Sequence, residues 1–85
     1  MSRFFFHTDN VQDEEGTELE SVAVAKCEAI KLAAGIICDE AADFWERAEW
    51  TMTVSDERGL TLFQLDIVGT ESAAVGYRNV KRSPA

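Results

Sequence analysis

Residues 50–67 read WTMTVSDERGLTLFQLDI, two runs of alternating apolar and polar positions joined by a turn that contains Gly59. A period of two is the mark of strands with one face buried, so the pattern predicts a β-hairpin. Asp56, Glu57 and Arg58 suit a type I turn, and Gly59 supplies the positive φ that closes it as a bulge. The alternation sets Trp50, Met52, Val54, Leu60 and Leu62 on one face. Thr51, Thr53, Thr61, Phe63, Leu65 and Ile67 fall on the other.

The same period appears once more, near the N-terminus. RFFFH, residues 3–7, reads as a short strand with Phe4 and Phe6 turned one way and Arg3, Phe5 and His7 the other. Phe4 and Phe6 are assigned to the core, because the opposite side carries the charge and the imidazole. The stretch Thr8–Glu20 is acidic and turn-rich, with room for a brief second strand around Val11 and Gln12.

From Ser21 the period changes to that of a helix. Ser21 is the expected N-cap of a helix running through SVAVAKCEAIKLAAGIICDEAADF, rich in alanine and free of proline. Val22, Ala25, Ala29, Leu32 and Ile36, continued by Ala33, Ile37 and Ala41, trace a wide apolar stripe. Glu18 and Glu20 lie just ahead of the helix, where its N-terminal dipole favours negative charge. Gly35, costly inside a helix, is expected to allow close approach of a neighbouring element. No Gly or Pro stops the helix between Asp43 and Trp50.

These elements predict an α+β fold. It is an antiparallel sheet of three or four strands with one long helix packed on one face, in the order β-(β)-α-β-β. Residues 1–68 form the single domain and residues 69–85 a polar, mobile C-terminal tail. One helix covers one sheet face, here assigned to Trp50, Met52, Val54 and Leu62 with Phe4 and Phe6. Phe5, Phe63, Leu65 and Ile67 are then left on the far side, either as an exposed apolar patch or beneath the C-terminal segment.

Length bounds the answer: 85 residues make one small core, for which association with another chain is a natural source of further burial. The net charge of −8 is uneven, with 15 acids against 5 bases in residues 1–68 and 1 acid against 3 bases in residues 69–85. An acidic body repels phosphate backbones, which argues against nucleic-acid binding. No apolar run reaches the roughly 20 residues of a membrane span, and no export signal is evident, so no membrane role and a cytoplasmic location are expected.

Little in the chain points to a reaction. Residues 9–20, DNVQDEEGTELE, hold six acids and no base, and they have the length of a calcium loop. Val11 and Glu14 stand where such a loop needs an oxygen ligand and a glycine, so a solvated acidic loop turning at Gly16 is the better reading. His7 is the only histidine and lies two residues from Asp9, but no nucleophile elbow accompanies it. Cys27 and Cys38 share a helix face about 16 Å apart along the axis, too far for a disulfide, and read as small buried or half-buried apolar residues. No catalytic, cofactor-binding or metal-ligating residue is assigned.

RFFFH, DEEGTEL, an Ala-rich helix and WTMTVSDERGLTLFQL occur in that order over residues 3–68. The combination resembles a family of small bacterial domains of unknown function. That family has an N-terminal aromatic strand ending in His, a D-E-x-G-x-E element and a V-x-D-x-x-G-x-x-L hairpin. Ser21, Val22 and the two cysteines depart from the more charged helix expected there. The resemblance implies a fold and no catalytic residues. A looser, purely architectural likeness is to the β-β-α-β antitoxin domains, and fold does not transfer function.

The reading that results is a non-enzymatic interaction domain. It is expected to form a homodimer through a free sheet face bearing Phe5, Phe63, Leu65 and Ile67, or through an open sheet edge. The alternative is an acidic regulator that binds a basic protein partner through residues 9–20, Asp13, Glu14 and Glu15 above all. A minor enzyme built on His7 and neighbouring carboxylates is the third.

Overall fold

The computed structural model describes residues 1–9 and 11–75. The chain runs β1 (Ser2–Thr8), β2 (Thr17–Leu19), α1 (Val22–Asp39), α2 (Ala41–Arg47), β3 (Glu49–Ser55) and β4 (Thr61–Val68). The strands form a four-stranded antiparallel sheet in the order β2-β1-β3-β4. The α+β class and the predicted order of elements hold. The second strand lies at Thr17–Leu19 rather than around Val11, because Gly16, not the stretch before it, makes the turn.

Ser21 caps α1 as expected, its Oγ accepting the Val24 N–H at 3.2 Å. The helix does not run on to Phe44 unbroken. Glu40 leaves helical geometry at φ −119° and ψ 40°, and α2 starts at once with Ala48 closing it in left-handed conformation at φ 64°. The break turns Phe44 into the core beside Trp50. The stripe that α1 buries is narrower than predicted: Ala25, Ala29 and Ala33 are buried, Ile36 and Ile37 half-buried, and Val22, Leu32 and Ala41 exposed. Short side chains let the helix sit close to the sheet. Gly35 is exposed with nothing near it, so it marks no close approach, and both cysteines are exposed rather than buried.

The core gathers Phe4 and Phe6 of β1, the alanines of α1, Phe44 of α2, and Trp50, Met52 and Val54 of β3. Met52 and Val54 are almost wholly excluded from solvent. The turn after β3 forms as predicted: the Gly59 N–H reaches the Asp56 carbonyl at 3.0 Å, and Gly59 takes φ 85°. Asp56 also fastens the turn through Oδ1, which accepts from the Arg58 and Leu60 N–H groups, each at 2.9 Å.

The assignment of faces on β4 is corrected. Ser55 pairs with Thr61, but Val54 pairs with Phe63, so Leu62 is an extra residue on β4. One inserted residue moves every later side chain to the other face. Phe63, Leu65 and Ile67 therefore lie opposite Val54, Met52 and Trp50, on the helix side, packed at the margin of the core. Phe5 remains on the outer face, stacked on His7 with ring centroids 6.5 Å apart. The expected patch of Phe5, Phe63, Leu65 and Ile67 does not exist as one surface. The outer face is instead mostly polar, with Thr51, Thr53, Gln64 and Asp66. Of the predicted tail, residues 76–85 lie outside the described residues, and Gly69 is tied back by its N–H to the Ala48 carbonyl at 3.0 Å.

Candidate functional site

Two regions combine solvent access with chemistry: the loop between β1 and β2, and the outer edge of β4. The loop is organised by Asp13. Its Oδ1 accepts the N–H groups of Glu15 and Gly16 at 3.1 and 3.0 Å, and its Oδ2 accepts the Phe6 N–H at 3.1 Å. Burial raises the Asp13 pKa, yet the N–H donors of Gly16, Phe6 and Glu15 outweigh it and hold the carboxyl below its ordinary value. Gly16 completes the arrangement at φ 74°, packed against Phe5 and the Arg3 stem so closely that a Cβ would lie 2.7 Å from Arg3 Cγ. Arg3 reaches the Glu15 carbonyl at 2.7 Å and the Glu18 carboxylate at 3.2 Å.

His7 stands beside this loop. Its Nδ1 accepts the Asp13 backbone N–H at 3.1 Å, which requires that nitrogen to be unprotonated. The proton of the neutral ring is then on Nε2, 3.0 Å from Ser55 Oγ, which accepts it. Serine, histidine and aspartate are thus adjacent without forming a catalytic triad. In a triad the imidazole takes the serine proton through Nε2 and gives its Nδ1–H to a carboxylate. Here the first is reversed and the second is replaced by a peptide N–H. Ser55 is also buried, at 6% exposure. The constellation fastens the loop to β1 and β3.

Of the acids singled out in the sequence, Asp13 is therefore a loop anchor, while Glu14 and Glu15 project from it as exposed side chains. They rim a groove of about 660 Å³ between the loop and the C-terminal half of α1. Phe6, Leu32, Ile36, Trp50 and Met52 line its apolar part, and Asp9, Glu14, Glu15 and Glu40 its acidic part, with Arg47 as the one base. Among the described residues, no cluster of three or more His, Cys, Asp and Glu is placed to hold a metal ion.

The edge of β4 is the second region. Phe63, Leu65 and Ile67 are only half-buried, and Leu60 and Val68 are 62% and 72% exposed. Lys26 of α1 extends toward this side, with Nζ 6.0 Å from the Phe63 ring centroid. No strand among the described residues pairs with the outer side of β4. Sequence reasoning named Phe63, Leu65 and Ile67 but set them on the wrong face. It did not single out Gln64 and Asp66, whose polar side chains between apolar neighbours mark the solvent side of the strand.

Among the described residues, no helix is long and apolar enough to cross a membrane. No curated protein and no solved structure matches the chain. A family model described as a domain of unknown function, DUF6894, matches residues 3–68, and the chain belongs to that family.

Proposed function

We propose that the domain is a non-enzymatic, cytoplasmic interaction module that self-associates through the outer edge of β4. The observation that carries this reading is the contrast between the two edges of the sheet. On one side β2 is three residues long, and beyond it Asp13 takes the Phe6 N–H while the Val11 carbonyl takes that of Thr8. That edge is short, and the β1 donors beyond it are already occupied. On the other side β4 offers eight residues with no proline, no lysine and a single charge, Asp66. Soluble proteins usually blunt such an edge, since its unpaired N–H and C=O groups template another strand. The half-buried Phe63, Leu65 and Ile67 beside it favour the same surface. The occupied nitrogens of His7 support the absence of catalysis, and exposed free thiols at Cys27 and Cys38 suit a reducing compartment. Light scattering across micromolar concentrations is expected to give the mass of a dimer; a monomer throughout that range overturns the reading.

The acidic groove favours a second reading, in which residues 9–20 receive a basic protein partner. An apolar floor under an acidic rim suits a cationic segment with one or two apolar anchors. Binding of an arginine- and leucine-rich peptide should weaken with salt and be lost in the Glu14→Gln/Glu15→Gln variant. Binding that ignores both salt and the substitutions counts against it.

A further inference from the structure

The hydrogen-bond directions along the sheet fix what the open edge presents. The N–H groups of Phe6 and Thr8 point toward Asp13 and Val11, away from β3. Phe6 and Thr8 are paired with Val54 and Met52. Directions alternate along an antiparallel ladder, so the backbone groups of Val54 and Met52 point to β4 and meet those of their partners Phe63 and Leu65. The N–H and C=O groups of Gln64, Asp66 and Val68 are consequently the ones that face outward.

We propose that a second copy of this chain pairs antiparallel along this edge with Leu65 opposite Leu65 on the two-fold axis. This rests on the reading of β4 as the self-association surface and specifies its register. An isologous contact must match outward residues with outward residues. Centring on Asp66 would set two carboxylates directly opposite each other, which is unfavourable. Centring on Gln64 would set Asp66 against Leu62, where the bulge disturbs the ladder. Centring on Leu65 sets Gln64 against Asp66 of the second copy in both directions. The Gln64 amide already donates to its own Asp66 at 3.1 and 3.2 Å, so donor and acceptor are in place for the partner strand. On the helix side the same register sets Phe63 against Ile67 of the second copy and leucine against leucine. The half-buried apolar row is thereby continued across the junction, and no like charges meet.

The test uses the full chain with Cys27→Ser and Cys38→Ser, both exposed positions. Leu65 belongs to a pair without mutual hydrogen bonds in this register, where Cα atoms approach to about 4.5 Å, within disulfide reach. Leu65→Cys under oxidised glutathione should yield a covalent dimer, while Phe63→Cys and Gln64→Cys, each facing a different residue, should stay largely uncrosslinked. Gln64→Pro removes one outward N–H without touching the ladder to β3, a position proline tolerates on an edge. It should weaken the dimer at least about tenfold, a free-energy change of about 1.4 kcal/mol or more, with the far-UV spectrum unchanged. A dimer by light scattering that crosslinks equally at the three positions, or survives Gln64→Pro, overturns the register and leaves self-association standing. A monomer overturns both.

Discussion

The carboxylate of Asp13 accepts three peptide N–H groups, and its negative charge is what makes them good partners. Its folded pKa lies below the ordinary 3.8, so its contribution to stability is complete above that value and is lost as pH falls through the lower folded value. The group is half-buried and still screened by solvent, which limits the effect to about 1 kcal/mol. Urea denaturation of Asp13→Ala at neutral pH should show that loss. Below about pH 4 the wild type should converge on the variant. A constant difference down to pH 2 contradicts this account. Two glycines make a matched comparison. Gly59→Ala meets only backbone strain at φ 85°, costing about 1–2 kcal/mol. Gly16→Ala adds a clash with Arg3 and Phe5 to a similar φ, and should lower the melting temperature further. Equal effects would show that the loop yields freely.

At the level of elements, the hairpin was legible because alternation and a turn glycine are local signals. Its register was not, because the bulge at Leu62 leaves no glycine of its own. A subtler signal existed. Gln64 and Asp66 alternate with Phe63, Leu65 and Ile67, just as Thr51 and Thr53 alternate with Trp50, Met52 and Val54. Both apolar sets belong under one helix, and only an extra residue between turn and strand brings them there. The helix break at Glu40 escaped for a different reason: it follows from packing Phe44 beside Trp50, a tertiary demand that overrides good local helix propensity. The groove was half legible, its acids except Glu40 in one run and its apolar floor drawn from three other elements, β1, α1 and β3. Register makes a sharp prediction. Deleting Leu62 restores a regular ladder and should cost no more than that side chain's partial burial, roughly 1–2 kcal/mol. Deleting Gln64 turns Leu65 and Ile67 outward and should cost about 3 kcal/mol or more, read from thermal denaturation. Comparable losses in the two deletions would reject the bulge assignment.

For the whole molecule, one helix layer covers a sheet whose two edges are finished differently. A strand free on one side only can join a single neighbour, and a unit with one joining site forms pairs. A unit with two would add copies without limit, as ribbons do. On the proposed reading, Asp13, by occupying the Phe6 N–H on the side of β1 away from β3, acts as a chain terminator for polymerisation. Asp13→Ala is expected to convert a bounded pair into sedimenting filaments at concentrations where the parent protein stays in the supernatant. A variant that unfolds modestly but never elongates would show that the short β2 strand suffices to end growth.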